Sequence, residues 1–405
     1  MISVEKALQI VLDSIEVQEP MNIPILSARG KVLAEDVISP EDIPSFDYAS
    51  ITGYALRSTD TVGTTSSNPV QLHLDGELLP GQQWQAPLKS KHTLRISMGA
   101  PLPEGADTVL MEEHGVRQSS KKVLIYKVAQ PGENIRLKGE DITKGKLVLP
   151  KGKSLNAADI GLLSAIGYTE IKCYRIPKVS FLTTGRELTE SNGPLPTGLM
   201  RSSNRFTLYS QLAEYGAEPV DLGLSNHNKN VILNKISKGL DYDMFISSAG
   251  PAIDDFTYVK KILEQVGMDI KFWKVAIRPG KPIIFGTCGN VPIFGLSGHP
   301  FSFYIVLEQF IRPAIMKMMG KKIVKRTEVL ATVTKDIKGA DGVTTFMRGV
   351  VTLNDNGFTV IPNFKKTYSV SAFSTINGLI VIPANSGYIK AGSKVKVQVI
   401  AEPEG

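Results

Sequence analysis

Three short segments rich in small residues carry groups that could hold an anion. They are TTGREL at residues 183–188, SSAGPAIDD at 247–255 and LSGHPFS at 296–302. Each follows an apolar run that predicts a buried strand, and each enters or approaches a predicted helix. Small residues let the backbone come close to a ligand, and the N–H groups at a helix start attract anions. Any one segment alone is equally typical of an ordinary turn, but three in one region favour a ligand site.

Three cations lie near these segments, in FWKVAIRPGKPIIFG at residues 272–286. Lys274 lies in the first of two predicted strands, and Arg278 and Lys281 flank the Pro-Gly turn between them. Fixed cations beside turns of this kind suit a phosphate or another oxyanion. The alternative is that they are ordinary charged residues of a hairpin.

The elements that must position these groups alternate between strand and helix from residue 176 to 322. This alternation predicts a parallel sheet with right-handed crossovers, in which ligands bind at the carboxyl ends of the strands. A long helix, bent at Pro313, is expected to close the region. Neither GxxxxGK[ST] nor a GxGxxG at the first strand-to-helix turn occurs, so a classical nucleotide-binding fold is disfavoured.

Short alternating strands with many turn residues surround this region on both sides. We predict an N-terminal and linker domain at 1–45 and 140–175, a β-rich domain at 46–139, the α/β domain at 176–322 and a C-terminal β-barrel domain at 323–405. The predicted fold class is therefore α/β plus β. A central doubly wound, Rossmann-like domain of three layers is flanked by β-rich domains.

Composition limits the class of protein and its compartment. The 405 residues are 42% hydrophobic and 21% charged, which is typical of a soluble globular protein, and no apolar run is long enough to predict a membrane span. The acidic N-terminal segment predicts a helix rather than a signal peptide. Cys173 and Cys288 cannot make a disulfide framework, which favours a reducing cytoplasm. The net charge of +7 is spread along the chain, so no nucleic-acid partner is expected.

Seven sequence blocks resemble one known family and occur in its order: SFDYASITGYALR, RISMGAPLPEGADTVLMEE, PGENIRLKGEDI, TTGREL, SSAG, FWKVAIRPGKPIIFG and GLSGHPFS. The chain resembles the molybdopterin molybdenumtransferases, the family of MoeA and the gephyrin E domain. The resemblance extends over essentially the whole chain, including MRGVV in the C-terminal region.

This resemblance implies an activity and an assembly. Adenylylated molybdopterin and molybdate are the implied substrates; the metal is placed on the dithiolene and AMP is released, with Mg²⁺ assisting. A homodimer is implied, in which the central domain holds the pterin and the β-rich domain of the other subunit completes the site. The molybdopterin adenylyltransferase is a further implied partner.

Candidate site residues follow from the three segments and from the resemblance. Those expected to bind molybdopterin are Thr184, Gly185, Ser248, Gly250, Lys281, Ser297, Gly298, Pro300, Ser302 and Arg348. Those expected to be catalytic are Asp141, Glu187, Lys274 and Arg278. The expected metal ligands are Asp141 and Glu187, with Asp254 as a third candidate.

Several family aspartates are replaced in this sequence. The positions are Thr52 in ITGYA, Arg186 in TGREL, Ser202 in SSN and Thr257 in the segment after SSAG. With Asp254 counted as one acid regained, the pocket is about four charge units more positive than in the family. We therefore expect retained anion binding and weak Mg²⁺-dependent insertion. A divergent paralogue that keeps the fold, the dimer and pterin binding, with a binding or scaffold role, is the alternative.

Overall fold

The computed structural model describes residues 1–190, 193–225, 228–250, 253–365 and 370–402, without the side chains of 253–255. The chain divides into two compact units. One comprises Met1–Ile23, Gly30–Ala34 and Lys172–Gly405, and the other comprises Pro24–Arg29 and Glu35–Ile171. The four domain boundaries predicted from the sequence remain predictions.

The α-helices of the described residues are α1 Val4–Asp13, α2 Ala157–Ala165, α3 Ser203–Glu214, α4 Lys229–Gly239, α5 Ile253–Gln265, α6 Pro300–Val306 and α7 Arg312–Met318. The strands are β1 Pro20–Pro24, β2 Val37–Ile38, β3 Tyr48–Ala49, β4 Gly53–Leu56, β5 Val70–Leu78, β6 His92–Ile96, β7 Thr108–Met111, β8 Gly115–Ser119, β9 Lys122–Ile125, β10 Ile135–Arg136, β11 Leu147–Leu149, β12 Glu170–Tyr174, β13 Lys178–Thr184, β14 Leu188–Thr189, β15 Met200–Arg201, β16 Glu218–Ser225, β17 Met244–Ser248, β18 Asp269–Lys274, β19 Ile277–Arg278, β20 Pro282–Cys288, β21 Val291–Leu296, β22 Glu328–Val333, β23 Ile337–Lys338, β24 Thr344–Asn354, β25 Gly357–Pro362, β26 Gly378–Ile382, β27 Tyr388–Ile389 and β28 Lys394–Val399. None of these helices is long and apolar enough to span a membrane.

The central sheet has the strand order β16-β13-β17-β21-β20-β18 in the described chain. Its first four strands are parallel, and β20 and β18 run antiparallel to their neighbours. Alternate side chains pack on opposite faces: Met244 and Ile246 join a core with α1, α3, α6 and α7, whereas Phe245 joins a core with α4 and α5. This period of two produces the three layers, and the predicted fold class is confirmed.

A β-rich sheet lies on each side of the central domain in sequence. The sheet before it has the order β7-β4-β6-β5-β9-β8. In the C-terminal region, β24, β25, β22, β28 and β26 pair in a closed ring, because β24 pairs with both β25 and β26. The short strand β19 also pairs with β24, so Arg278 lies beside this barrel.

The long helix expected at 299–320 is interrupted. A π-helical turn, Leu307–Ile311, separates α6 from α7. Pro313 has no N–H for the carbonyl four residues earlier, so the α-helical ladder breaks before it. The turn buries Glu308, which accepts hydrogen bonds from Tyr215 Oη at 2.8 Å and from Arg326 Nε at 2.9 Å. A buried carboxylate needs such partners, and Arg326 ties the helix to the chain that enters the barrel.

Candidate functional site

Three parallel strands of the central sheet end side by side. Thr183 of β13 is in register with Ser248 of β17, and Ser248 is in register with Leu296 of β21. A cavity of about 370 Å³ lies at this edge, and it is lined by Thr183, Leu188, Met200, Arg201, Ser202, Ser203, Asn204, Ser248, Ala249, Gly250, Gly298, His299, Pro300 and Val370. The cavity is where the sequence predicted a ligand, at the carboxyl ends of the strands.

Three hydroxyl groups of the cavity wall have no hydrogen-bond partner among the described residues. They belong to Thr183, Ser202 and Ser248, which are 1%, 2% and 1% exposed. Ser202 directly precedes α3, but its side chain does not cap the helix. A buried hydroxyl without a partner costs about 1–3 kcal/mol, and a polar ligand in the cavity would remove that cost.

Helix starts and backbone groups complete the wall. The twelve-residue helix α3 begins at Ser203, so the positive end of its dipole is directed at the cavity. Asn204 Nδ2 donates to the carbonyl of Gly298 at 2.8 Å, and the N–H of Gly298 donates to the carbonyl of Gly250 at 3.3 Å. These bonds hold the loops after β17 and β21 together. The hydroxyls and the helix start therefore favour an anionic or strongly polar group of a ligand, while Leu188, Met200 and Val370 give the same wall an apolar part.

Some of the residues expected to bind the ligand line this cavity: Ser248, Gly250, Gly298 and Pro300. Others belong to the same strand ends and helix start without lining it, namely Thr184, Gly185, Ser297 and Ser302. The hydroxyl of Thr184 instead donates to the carbonyl of Ser248 at 3.3 Å. A β-carbon at Gly185 would lie 2.8 Å from the Leu188 side chain, so glycine keeps this turn compact. Ligand contact stays a prediction for each of these residues.

Sequence reasoning missed Thr183, Asn204 and Val370 as cavity residues. Thr183 is the first residue of the segment TTGREL and the last but one of β13, and Asn204 lies in the first turn of a predicted helix, so both had a usable signal. Val370 comes from the C-terminal region through a short 3₁₀ turn, and no local pattern indicates that approach.

A second cavity, of about 550 Å³, lies on the other side of the start of α6. Its lining residues are Arg278, Pro279, Phe301, Lys338, Gly339, Thr345, Phe346, Met347, Arg348, Asn363, Phe364 and Lys365. Four of them are cationic, and none of these described residues is acidic. Pro300 lines the first cavity and Phe301 the second, so the two cavities are neighbours.

The side chain of Arg348 is fixed in this second cavity. Arg348 is 2% exposed, and its guanidinium carbon lies 4.6 Å from the ring centre of Phe301 and 5.7 Å from that of Phe373. Its Nη2 donates to the carbonyl of Lys365. Burial lowers the pKa of Arg348, but arginine keeps its charge because its ordinary pKa exceeds about 12. A preorganised arginine in a cationic cavity suits an oxyanion.

Of the three cations in the 272–286 segment, Arg278 lines one of the two cavities and the other two line neither. Arg278 lines the second cavity because β19 pairs with the barrel strand β24. Lys274 lies on β18 of the central sheet, exposed, with its ammonium 3.8 Å from the ring centre of Trp273. Lys281 is exposed and lines neither cavity.

The structure describes two of the three carboxylates at the expected metal positions. Glu187 is half-buried after β13, and its Oε1 has no partner among the described residues. Asp141 is exposed and belongs to the other compact unit. The side chain of Asp254 lies outside the described residues.

The positions of the replaced aspartates supply no further carboxylate. The hydroxyl of Thr52 accepts from the N–H of Met98 at 3.2 Å, and Arg186 and Thr257 are exposed. In the part of the chain that is described, three potential metal ligands meet only at His73, Asp75 and His92. Mg²⁺ prefers several oxygen ligands in octahedral geometry. The described carboxylates at the implied positions are those of Asp141 and Glu187, so the other ligands of a Mg²⁺ ion would have to be water and substrate phosphate.

The unpartnered hydroxyls lead to a stability prediction. Ser202→Ala should leave the free energy of unfolding unchanged or raise it by up to about 1 kcal/mol, because a buried hydroxyl without a partner is removed. Ser180→Ala is the matched control: its buried hydroxyl donates to Gly239 O at 2.7 Å, and its loss should lower the free energy by about 1 kcal/mol. Urea unfolding followed by circular dichroism measures both. Equal destabilisation by the two changes would contradict the geometry of the cavity.

Comparison with known proteins covers almost the whole chain. Residues 2–167 match the family model described as MoeA N-terminal region (domain I and II), residues 180–317 match that of a probable molybdopterin binding domain, and residues 331–400 match that of the MoeA C-terminal region (domain IV). Both cavities are lined mainly by residues of the second and third matches.

Individual relatives agree with these matches. A molybdopterin molybdenumtransferase of Haemophilus influenzae is 35% identical over 92% of this chain and 91% of its own length. A molybdopterin molybdenumtransferase of Staphylococcus epidermidis is 32% identical over 98% of this chain and 95% of its own length. The crystal structure of a molybdopterin biosynthesis MoeA protein from Pyrococcus horikosii superposes with a TM-score of 0.89 at 30% identity and covers 99% of this chain and 100% of that one. The resemblance seen in the sequence blocks is thus confirmed, and the chain belongs to the molybdopterin molybdenumtransferase (MoeA) family.

Proposed function

We propose that this protein inserts molybdenum from molybdate into adenylylated molybdopterin and releases AMP. The observation that carries the proposal is the cavity at the carboxyl edge of the central sheet, whose buried hydroxyls lack partners among the described residues. This edge lies in the region that matches a probable molybdopterin binding domain, and the two curated relatives above are named molybdopterin molybdenumtransferase. None of these relatives favours the divergent binding or scaffold role.

The two cavities divide the substrates between them. In the first, Thr183, Ser202 and Ser248 donate hydrogen bonds to the pterin or its phosphate, and the start of α3 stabilises negative charge. In the second, Arg278 and Arg348 hold molybdate as an oxyanion. The exposed Lys274 and Lys281 raise the local concentration of anions through their charge.

The overall step balances without a redox change. The two dithiolene sulfurs replace two oxygen ligands of molybdenum, and the thiol protons leave with those oxygens. The phosphoanhydride bond breaks with uptake of one water, which gives AMP and the phosphate of molybdopterin. This chain's residues bind and orient both anions beside each other at the start of α6, which lowers the entropic cost of the encounter.

AMP release from adenylylated molybdopterin in the presence of molybdate tests the proposal. Arg278→Ala should raise the KM for molybdate by about tenfold, because a charged hydrogen bond is lost, and should leave the affinity for adenylylated molybdopterin unchanged. Lys271→Ala is the matched control, since Lys271 is an exposed cation of the neighbouring strand β18 paired with Asp269. The proposal is wrong if the unmodified protein releases no AMP, and the oxyanion assignment alone is wrong if Arg278→Ala behaves like Lys271→Ala.

The replaced aspartates predict how the reaction depends on Mg²⁺. Chelation of Mg²⁺ should change AMP release by the unmodified protein little, because its described residues offer the ion only the carboxylates of Asp141 and Glu187 at the implied positions. The fourfold variant Thr52→Asp, Arg186→Asp, Ser202→Asp and Thr257→Asp should gain a Mg²⁺-dependent component. Each single change should do little, since one carboxylate alone rarely holds Mg²⁺. A full Mg²⁺ requirement in the unmodified protein would show that Asp141, Glu187 and Asp254 suffice.

We also propose a cytoplasmic homodimer that receives its substrate from a molybdopterin adenylyltransferase. The support is the family membership, because a site shared between subunits is implied by the resemblance. Light scattering of the purified protein at micromolar concentration tests the dimer, and a monomer would remove the shared site from the proposal.

A further inference from the structure

The strands β5 and β6 bring two histidines and an aspartate together on one face of the N-terminal β-rich sheet. His73 and His92 are register partners in this parallel pair. Asp75 follows His73 by two residues and therefore lies on the same face of β5, whereas Leu72 and Leu74 are buried on the other face. Two of the chain's five histidines thus meet at one carboxylate, that of Asp75, which lies at an irregularity of the register between Leu74 and Gly76.

The side chains converge closely. Nδ1 of His73 and Nδ1 of His92 each lie 2.8 Å from the same oxygen, Asp75 Oδ1, and the ring centres are 4.9 Å apart. The three potential ligand atoms all lie within 4.8 Å of one another. Around a tetrahedral metal with bonds of about 2.0–2.2 Å, ligand atoms are about 3.3 Å apart. Adjustments of about 0.5–1.5 Å would therefore bring all three atoms into coordination.

We propose that His73, Asp75 and His92 bind a divalent transition-metal ion of the Zn²⁺ type. Two imidazole nitrogens and one carboxylate oxygen suit Zn²⁺, Co²⁺, Ni²⁺ or Cu²⁺, whereas Mg²⁺ and Ca²⁺ prefer oxygen ligands alone. The side chains are 46%, 23% and 29% exposed, so water reaches the site, serves as the fourth ligand and leaves an entry path for the ion.

The ion would join neighbouring strands across a long connection. β5 ends at Leu78 and β6 begins at His92, so the metal would close a loop formed by residues 79–91. An ion that binds only the folded chain stabilises it in proportion to the logarithm of its concentration. The role is therefore structural, in the compact unit that does not contain the two cavities, and it does not depend on the proposed transferase activity.

One charge opposes this binding. Lys122 of β9 pairs with His73 from the other side of β5, and side chains of directly paired residues lie on the same face. Its ammonium group repels a cation, so Lys122→Ala should tighten metal binding rather than weaken it.

Calorimetric titration of the chelator-treated, full-length protein with Zn²⁺ tests the site. We expect one Zn²⁺ per chain from this cluster and a rise in the thermal midpoint on binding. Co²⁺ should bind with the visible absorption of a tetrahedral site, and a large excess of Mg²⁺ should not compete. His73→Ala, His92→Ala and Asp75→Asn should each weaken Zn²⁺ binding by at least about tenfold.

The control is His114→Ala, since His114 also lies near a carboxylate, Glu113, at 3.6 Å in the same unit. It should leave Zn²⁺ affinity unchanged. The three cluster side chains are partly exposed, so the variants should fold. Loss of the contacts to Asp75 should lower their thermal midpoints without metal by at most a few degrees. The proposal is overturned if the parent binds no stoichiometric Zn²⁺, or if binding survives in the His73→Ala, His92→Ala double variant.

Discussion

The ends of three parallel strands at one edge of the central sheet determine the rest of the site. Alternate side chains of β13, β17 and β21 are buried in two different cores. A shift of one residue in the pairing of these strands would move every side chain to the other core, so the register is strongly specified. This register places Thr183 and Ser248 side by side. The strands end at this edge, so the polar side chains of Thr183 and Ser248 face no further strand. The start of α3 and the turns at Gly250 and Gly298 surround these side chains. The physical consequence is a cavity in which the hydroxyls of Thr183 and Ser248 have no partner within the part of the chain that the structure describes.

The start of α6 divides this edge into two chemically different cavities. Pro300 lines the one whose described wall combines hydroxyls, backbone and a helix start with apolar side chains and Arg201. Phe301 lines the one with four cationic residues and no acidic residue in its described lining. Arg348 stacks on Phe301, and Arg278 arrives through β19, which pairs with the barrel. The C-terminal barrel thus determines where the positive charges of the second cavity lie, because it carries Arg348 and pairs with the strand that carries Arg278. Glu308 and Arg326 support this arrangement, because they tie the helix after Phe301 to the segment that leads into the barrel.

Local sequence patterns predicted the elements and the first cavity's strand ends, but not the contacts between distant segments. Apolar runs that alternate with helices ending at glycine were enough to predict the three-layer domain. The segments rich in small residues indicated Ser248, Gly250 and Gly298 as residues of a ligand site. The position of Arg278 in the second cavity depends on a pairing between residues 277–278 and 344–345, which no periodicity encodes. Pro313 indicated a bend in the long helix, but no local pattern indicated the π-helical turn before it, which buries Glu308. The pair His73 and His92 needed the strand register, although both residues were visible in the sequence.

A crystal structure of this protein with adenylylated molybdopterin would test the central claim most directly. We expect the ligand in the cavity at the carboxyl edge of the central sheet, with hydrogen bonds from the hydroxyls of Thr183, Ser202 and Ser248. Its phosphates should lie near the start of α3, and added molybdate should lie between Arg278 and Arg348. A ligand bound elsewhere, with these three hydroxyls still unpartnered, would contradict the account.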